Sequence, residues 1–310
     1  MPRGPIGQTD RLMRTLILGE TLVDLICERP VAALGEADGF APHLGGAGAN
    51  VAITAARAGA DVALAGGAGD DTWGRWLRDA LADAGVCLDH FTLLPGVRTS
   101  VAFVTVDAAA EPEFVIYDEG LAAVSEELGP RLVAAVEACD AFFFSTGTMV
   151  GESERASTQA AHARALELGL PVVFDPNLRP GRWSNPGRAT TVARDCVPGA
   201  SLVKANRQEA RLLTGEADPI RAAEALLVAG AQTAVVTLGA DGALLRGPGL
   251  RRDVPGRPAS PVNATGAGDV FAGTLVARMA AAAWYPPAIA AGLDEAVAAA
   301  ALATQRWGAV

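Results

Sequence analysis

Short apolar runs alternate with helical stretches along most of this chain. The runs are rich in β-branched and aromatic residues, and they read RTLILG, DVALAGG, DAFFFSTG, LPVVFDPN, SLVKAN and TAVVTLG. Continuous apolar strands separated by helices are typical of a parallel sheet that is covered on both faces. We therefore expect an α/β fold with three layers, α/β/α, and a mainly parallel central sheet. Ligands of such sheets bind beyond the carboxyl ends of the strands.

The helices predicted between these strands cover residues 49–58, 72–84, 153–168, 207–213, 220–229, 269–283 and 294–306. Two segments, residues 20–28 and 99–117, look extended without an intervening helix, and DAAAEPE in the second predicts a hairpin turn. We expect a small antiparallel sheet apart from the main one, as a lid or a dimer contact. No long linker interrupts the pattern, which predicts one domain over residues 13–310 with lid segments at about 20–44 and 97–122. Residues 1–12 are expected to be a disordered lead-in.

Charge and composition exclude several classes of partner. The formal net charge of −10 and the pI near 4.8 argue against nucleic acids and anionic membranes, which need a basic field. No apolar stretch has the length of a membrane span. The four cysteines form no C-x-x-C pair, which favours free thiols in a reducing cytosol, and the three histidines are too scattered for a zinc site. We expect a cytoplasmic protein. Lys204 is the only lysine, so no P-loop motif exists.

A glycine-rich loop, PVNATGAGDVFAGTL, precedes the helix predicted near residue 269. Thr265, Gly266, Ala267 and Gly268 carry little side-chain bulk, so backbone N–H groups there can approach a ligand closely. The N-terminus of the helix adds partial positive charge, which makes this loop a candidate anion site. Asp269 at its mouth could accept a proton from a hydroxyl that attacks a phosphate. An aspartate that only caps the helix is the alternative.

An earlier glycine cluster, HLGGAGANV, resembles the dinucleotide-binding fingerprint. The fingerprint fails here because Val51 stands at its third glycine and GFAPH before it is a poor strand. We interpret Gly45 and Gly46 as positions where a polyhydroxylated ligand approaches the backbone, with Asn50 offering a donor and an acceptor. Asn50 as a helix cap is the alternative.

Polar residues also follow three later strands. In FDPNLR, Asp175, Asn177 and Arg179 cluster at a strand end, where Arg179 could hold a phosphate or carboxylate, although a turn with an Asx bond would look similar. In NRQE, Asn206 and Glu209 share a helical face; Glu209 is a candidate for holding water around Mg²⁺, and a solvated helix start is the alternative.

The segment VVTLGADGALL places Thr237 and Gly239 at another strand end. By itself this segment is an ordinary hairpin.

Taken in order, the early glycine loop, DPN, N-x-x-E, T-x-G-x-x-G and TGAGD resemble the motifs of ribokinase-like, PfkB-type carbohydrate kinases, and among these the fructokinases and 2-keto-3-deoxygluconate kinases. The similarity runs from about residue 13 to the end. It implies a ribokinase-like α/β/α fold with a small β lid, MgATP as phosphoryl donor and a sugar-like alcohol as acceptor. The exposed strands of the lid are a candidate homodimer surface.

The resemblance also assigns roles. It implies that Asp269 is the catalytic base and that the anion hole is formed by Gly266, Ala267 and Gly268. It implies a sugar pocket that contains Asp24, Gly45, Gly46, Asn50, Arg98, Asp175 and Arg179. On the nucleotide side it implies Asn206, Glu209, Thr237, Gly239, Gly242 and Thr265, with Glu209 near Mg²⁺ through water.

Two departures from the family pattern stand out. NATGAGD replaces the usual DTTGAGD, so Asn263 and Ala264 stand where relatives have an acid and a threonine. That acid is a ligand in members activated by a monovalent cation, so we expect weak K⁺ dependence or none. The sequence also stops at TQRWGAV, where relatives usually continue, so we expect part of the last cation-side or adenine-side loop to be missing.

Three interpretations of the function remain. FDPNLRPGRW and RTSVAFV are most similar to fructokinases, which favours a neutral ketohexose. A sugar acid such as 2-keto-3-deoxygluconate is the alternative, but the acidic Asp118 and Glu119 would repel it. A catalytically weak relative that only binds sugar or nucleotide is the third.

Overall fold

The computed structural model describes residues 13–310; the predicted lead-in over residues 1–12 lies outside them. The strands are β1 Thr15–Leu18, β2 Leu22–Pro30, β3 Ala41–Gly45, β4 Val62–Gly69, β5 Phe91–Leu94, β6 Val101–Val106, β7 Pro112–Tyr117, β8 Ala141–Ser145, β9 Val172–Asp175, β10 Leu202–Asn206, β11 Ala234–Thr237, β12 Gly242–Gly247 and β13 Leu250–Pro255. The helices are α1 Ala47–Arg57, α2 Thr72–Asp83, α3 Glu119–Glu137, α4 Glu152–Glu167, α5 Pro186–Asp195, α6 Arg207–Thr214, α7 Pro219–Val228, α8 Ala267–Ala281 and α9 Pro287–Ala303.

The main sheet has nine strands in the order β13-β12-β11-β10-β9-β8-β1-β4-β5. Pairing is parallel from β11 to β5, whereas β12 and β13 are added as antiparallel strands. The apolar runs form these strands because both faces of the sheet are covered; every residue of β8, AFFFS, is buried. The expected mainly parallel sheet is confirmed, and its parallel strands end along one edge.

Helices cover both faces of this sheet. Residues of α3 to α7 form one buried cluster with one face, and residues of α1, α8 and α9 form another cluster with the opposite face. The helices α1 and α8 approach each other closely at Gly273, which has no Cβ atom; a Cβ atom there would lie 2.7 Å from the carbonyl oxygen of Val51. This close packing brings the first turns of α1 and α8 together and thereby positions the site described below.

The second sheet has four strands in the order β3-β2-β6-β7; we call it the lid sheet. β2 pairs with β3 and β6 pairs with β7 in antiparallel fashion, as expected, while β2 and β6 run parallel. The predicted hairpin turn lies between β6 and β7, and Ala110 within it has a positive φ of 64°. The carbonyl oxygen of Ala110 accepts a hydrogen bond of 2.9 Å from the backbone N–H of Ala264. The lid sheet therefore contacts the loop that precedes α8.

The sequence patterns locate most helices to within a few residues but miss two. α3 contains Pro130 in its middle and α5 begins at Pro186, and proline weakens a helical pattern. The structure places Pro186 in the first turn behind Asn185, which caps the helix through the Gly187 N–H, and proline is favoured there. The predicted lid segment over about 97–122 becomes helical at Glu119.

All four cysteines are free. In the described part of the chain, no helix is both long and apolar enough to cross a membrane.

Replacing Phe144 by alanine is expected to lower the free energy of unfolding by about 3–5 kcal/mol, because it leaves a cavity in the core. Phe144 is fully buried on β8, with ring centroids 5.3 Å from Phe142 and 5.0 Å from Phe174. Urea unfolding measures the change. The matched control is Val228→Ala at a side chain that is 90% exposed, where the expected change is under about 0.5 kcal/mol. A loss at Phe144 no larger than the control's contradicts the expectation.

Candidate active site

The TGAGD loop forms the N-terminus of α8, as its composition predicts. Gly266 is the residue before the helix and has a φ of 72°. A Cβ atom there would also overlap the Cβ of Ala309, so glycine is required on two counts. The first N–H groups of an α-helix lack intrahelical acceptors, and the helix dipole places partial positive charge beside them. The loop is therefore built to receive an anion on backbone atoms.

Asp269 lies in the first turn of α8 and is 8% exposed. Its Oδ2 accepts a hydrogen bond of 2.9 Å from Asn50 Nδ2, and its Oδ1 accepts one of 3.3 Å from Asn177 Nδ2. Burial raises the pKa of Asp269, while the Asn50 hydrogen bond and the charges of Lys204 and Arg179 oppose that rise. Asp269 is thus a buried carboxylate held in a fixed orientation by amides from two other segments.

A first cavity, of about 70 Å³, opens between Asp269 and the lid sheet. Predicted residues that line it are Asp24, Gly46, Asn50, Arg179, Thr265, Gly266 and Asp269. Gly45 lies directly behind Asp24, because a Cβ atom at Gly45 would overlap the Asp24 carboxylate. Burial and, second to it, the neighbouring charge of Asp269 raise the pKa of Asp24 to about 7, against the opposing charge of Arg179. The early glycine loop therefore makes room for a buried carboxyl group that faces this cavity.

A second cavity, of about 150 Å³, adjoins the first and shares Asn177, Arg179 and Asp269 with it. Its lining includes Lys204 and Asp175, which form a buried ion pair of 2.8 Å. Burial raises the pKa of Asp175 to about 6, against the opposing charge of Lys204.

The only lysine of the chain lies beneath the first turn of α8. A Cβ atom at Gly268 would be 3.0 Å from Lys204 Nζ. The ammonium group therefore adds full positive charge at the anion loop.

Asn206 and Glu209 also line the second cavity. Glu209 Oε2 accepts a hydrogen bond of 2.8 Å from the Asn206 N–H, and Asn206 Oδ1 accepts one of 2.9 Å from the Glu209 N–H. Glu209 Oε1 accepts a third, of 2.9 Å, from the Leu178 N–H. The N-x-x-E motif therefore caps α6, but Glu209 is buried and not solvated as the alternative expected, and it also fixes the turn that carries Asn177 and Arg179.

A third cavity, of about 340 Å³, lies on the other side of the anion loop. Its walls include Thr237, Gly239, Gly242, Ala267 and Gly268, together with apolar side chains of α8 and α9 and the turn of the lid hairpin. Gly268 lines both this cavity and the second one. The anion loop thus separates a large, mainly apolar cavity from the buried charges around Asp269.

Asn263 is fully buried just before the anion loop. Its Oδ1 accepts a hydrogen bond of 2.8 Å from the Thr265 N–H. Its Nδ2 has no hydrogen-bond partner among residues 13–310. An amide donor, which repels a cation, therefore occupies the position where the motif comparison placed a cation ligand.

Two predicted residues lie elsewhere. Asp175, which the resemblance placed in the sugar pocket, lines the second cavity and not the first. Arg98 is exposed and is absent from the described lining of all three cavities. Conversely, Glu20 and Arg182 line the first cavity and Lys204 the second without having been predicted there. Lys204 stands two positions before Asn206 at a strand end and Arg182 lies within FDPNLRPGRW, which were the available signals; Glu20 begins the segment 20–28, which was interpreted only as extended. The described residues contain no group of three or more His, Cys, Asp or Glu side chains arranged to hold a metal.

Comparisons with known proteins bear on this site. Residues 14–310 match the model of the pfkB family carbohydrate kinases. Fructokinase-1 of Oryza sativa subsp. japonica is 34% identical over 273 residues, which cover 84% of this chain and 81% of the relative.

Two solved structures share the fold over nearly the whole chain. A fructokinase double mutant from Vibrio cholerae O395, bound to fructose, ADP and potassium, has a TM-score of 0.83 and 30% identity, covering 97% of this chain and 95% of that one. Aminoimidazole riboside kinase from Salmonella enterica, complexed with aminoimidazole riboside and an ATP analogue, has a TM-score of 0.81 and 27% identity, covering 96% and 95%. The predicted ribokinase-like α/β/α fold and the resemblance to fructokinases are confirmed. The chain therefore belongs to the pfkB family of carbohydrate kinases and is an ATP-dependent sugar kinase.

Proposed function

We propose that the protein transfers the terminal phosphoryl group of MgATP to a hydroxyl group of a neutral ketohexose, with Asp269 as the base. The observation that carries this proposal is the position of Asp269, which lines both the first and the second cavity directly after the anion loop. The sugar occupies the first cavity and the nucleotide base and ribose the third. The phosphates reach the second cavity past Gly268, which lines the second and third cavities.

Asp269 removes the proton of the attacking hydroxyl group. The hydroxyl oxygen then bonds to the terminal phosphorus, the bond from that phosphorus to the bridging oxygen breaks, and ADP leaves with the bond's electrons. Asn50 and Asn177 hold the carboxylate oxygens in place before the sugar arrives. Burial raises the pKa of Asp269 and so strengthens it as a proton acceptor.

Positive groups surround the transferred phosphoryl group. The anion loop and the dipole of α8 lie on one side of it, where the Ala267 N–H also donates to the carbonyl oxygen of Ala264 at 3.3 Å, and the Lys204 ammonium lies beneath them. Arg179 lines the first and second cavities and stacks its guanidinium 5.7 Å from the Phe114 ring centroid. These fixed charges stabilise the negative charge that builds on the phosphoryl oxygens.

The second cavity suits a hydrated Mg²⁺ ion. Asp175 Oδ1 is buried without a hydrogen-bond partner in the described chain, and the Glu209 carboxylate lies on the same cavity. Mg²⁺ keeps several waters and binds one or two carboxylates together with substrate phosphates, so these two residues would hold it, Glu209 through water. When bound, the ion would neutralise charge on the phosphates.

Two findings support a ketohexose as the acceptor. The rice relative is a fructokinase, and the Vibrio cholerae structure contains fructose. In this chain Asp24, Asn50 and Asp269 present hydroxyl-binding groups to the first cavity. Fructose is the first substrate to assay.

Asp269→Asn is expected to lower kcat by roughly 10²–10⁴-fold, because the amide cannot take the proton of the hydroxyl group. The affinity for ATP, measured by calorimetry, should stay within about threefold of the wild-type value, because Asp269 is not among the residues described as lining the third cavity. Asp79→Asn, on an exposed side chain of α2, is the control and should keep wild-type turnover. Near-normal turnover of Asp269→Asn rules out the assigned base.

Activity is expected to depend little on K⁺. Buried Asn263 offers a neutral amide with an unpartnered donor where a cation would need a negative ligand. Turnover measured in KCl and in tetramethylammonium chloride at equal ionic strength should differ by less than about twofold. A tenfold stimulation by K⁺ contradicts this expectation.

Asp24 is expected to make stability fall as the pH rises. Its pKa is raised from 3.8 to about 7 in the fold, so the protonated group stabilises the folded state fully below pH 3.8, and this contribution is lost as the pH rises through about 7. Without sugar, the unfolding free energy of Asp24→Asn relative to wild type should therefore increase between pH 4 and pH 8, by up to roughly 4 kcal/mol. Asp79→Asn should show no such trend, and a pH-independent difference for Asp24→Asn refutes the cause.

A further inference from the structure

Glu20 lines the first cavity, and the proposed reaction gives its carboxylate no role. It lies between β1 and β2, and its side chain is 11% exposed. A Cβ atom at Gly147 would overlap Glu20 Oε1, so glycine at that position makes room for the carboxylate. Glu20 lines the same cavity as Asp24 and Asp269. A negatively charged side chain is thus fitted into the wall of the sugar cavity.

Arg182 holds one oxygen of this carboxylate. Arg182 Nη1 donates a hydrogen bond of 2.9 Å to Glu20 Oε1 and a longer one, of 3.3 Å, to the carbonyl oxygen of Gly147. Its Nε donates a hydrogen bond of 3.0 Å to Asp118 Oδ2, at the end of the lid hairpin. Arg182 therefore joins Glu20 in the body of the protein to Asp118 at the lid. Arg182 also partly offsets the charge of Asp118, which we expected from the sequence to repel an acidic substrate.

The other oxygen of Glu20 lacks a donor. Glu20 Oε2 is buried and has no hydrogen-bond partner within residues 13–310. A buried, unpaired carboxylate oxygen costs free energy, and a ligand that donates a hydrogen bond to it recovers that cost. A sugar hydroxyl group can donate such a bond. The carboxylate of a sugar acid cannot, and its charge would be repelled by Glu20.

We propose that Glu20 accepts a hydrogen bond from a hydroxyl group of the acceptor other than the one that reacts, with Arg182 and Asp118 holding the carboxylate in place. Asp269 takes the reacting hydroxyl group, and Glu20 fixes a second point of the same molecule. The site thereby selects a neutral polyhydroxylated sugar over a sugar acid. This inference rests on the proposed sugar kinase activity and names the group that sets its specificity.

Glu20→Gln tests the proposal because it keeps the shape and the acceptor toward Arg182 but removes the charge. With fructose, kcat/KM should fall roughly 10–100-fold through a higher KM, while the KM for ATP should change by less than about twofold. The second readout is a set of monodeoxy fructose analogues. For the analogue that lacks the hydroxyl group bonded to Glu20, kcat/KM of the wild type should be roughly 10–100-fold lower than for fructose. For Glu20→Gln, kcat/KM should be almost the same for this analogue as for fructose, because the variant already lacks that hydrogen bond.

Two further variants keep the test decisive. Asp118→Asn leaves Glu20 in place and should lower kcat/KM for fructose about 2–5-fold, since it weakens only a partly exposed ion pair. Glu126→Gln removes an equal charge from an exposed side chain of α3 and should stay within about twofold of wild type in every assay. Thermal melting of each variant shows whether it is folded.

The inference is overturned if a folded Glu20→Gln loses the same factor as the wild type on every deoxy analogue, or if its ATP KM rises as much as its sugar KM. It is also overturned if the wild type prefers 2-keto-3-deoxygluconate to fructose, although the kinase assignment then stands. Should Glu20→Gln fail to fold, an unchanged kcat/KM of Asp118→Asn contradicts the proposal. Absence of MgATP-dependent phosphorylation of any sugar by the wild type is the separate result that removes the proposed function.

Discussion

Several carboxyl groups are buried close in space to the N-terminus of α8. The rest of the structure is arranged around this constraint. Asp24, Asp175, Glu209 and Asp269 are all buried there, and each is compensated differently. Asp269 is held by two amide side chains, Asp175 by an ammonium group and Glu209 by backbone N–H groups. Asp24 is instead left with a high pKa. Acids of one chemical type thereby acquire different proton affinities, which is what the proposed division into a base and binding groups requires.

The first turn of α8 also fixes where the two substrates meet. Gly268 borders the second and third cavities, and Gly266 and Asp269 border the first and second. Because these residues lie close together at the start of one helix, the spacing between Asp269 and the anion loop does not depend on a moving part. The lid sheet contacts the loop before α8 through the hydrogen bond from the Ala264 N–H to the carbonyl oxygen of Ala110.

The fold and the centre of the site followed from the sequence because they rest on local patterns: apolar runs gave the strands, and small residues before a helix gave the anion loop. Contacts between segments far apart in the sequence could not be found in this way. Arg182 and Glu20 are 162 positions apart, and they pair because they follow β9 and β1, two parallel strands of the main sheet. Arg98, by contrast, belongs to a stretch that resembles fructokinases, yet its side chain is exposed away from the cavities. The helix α3 escaped prediction because Pro130 interrupts its pattern locally, while packing along the sheet sustains it.

The position of Lys204 gives the chain an unusual chemical property. Since every other basic side chain is arginine or histidine, a protease that cuts only after lysine has a single target bond in 310 residues. That bond lies on β10, a central strand of the main sheet, and Lys204 itself is 5% exposed and paired with Asp175. Cutting there requires β10 to leave the sheet, so the rate of this one cleavage reports how often this part of the main sheet opens.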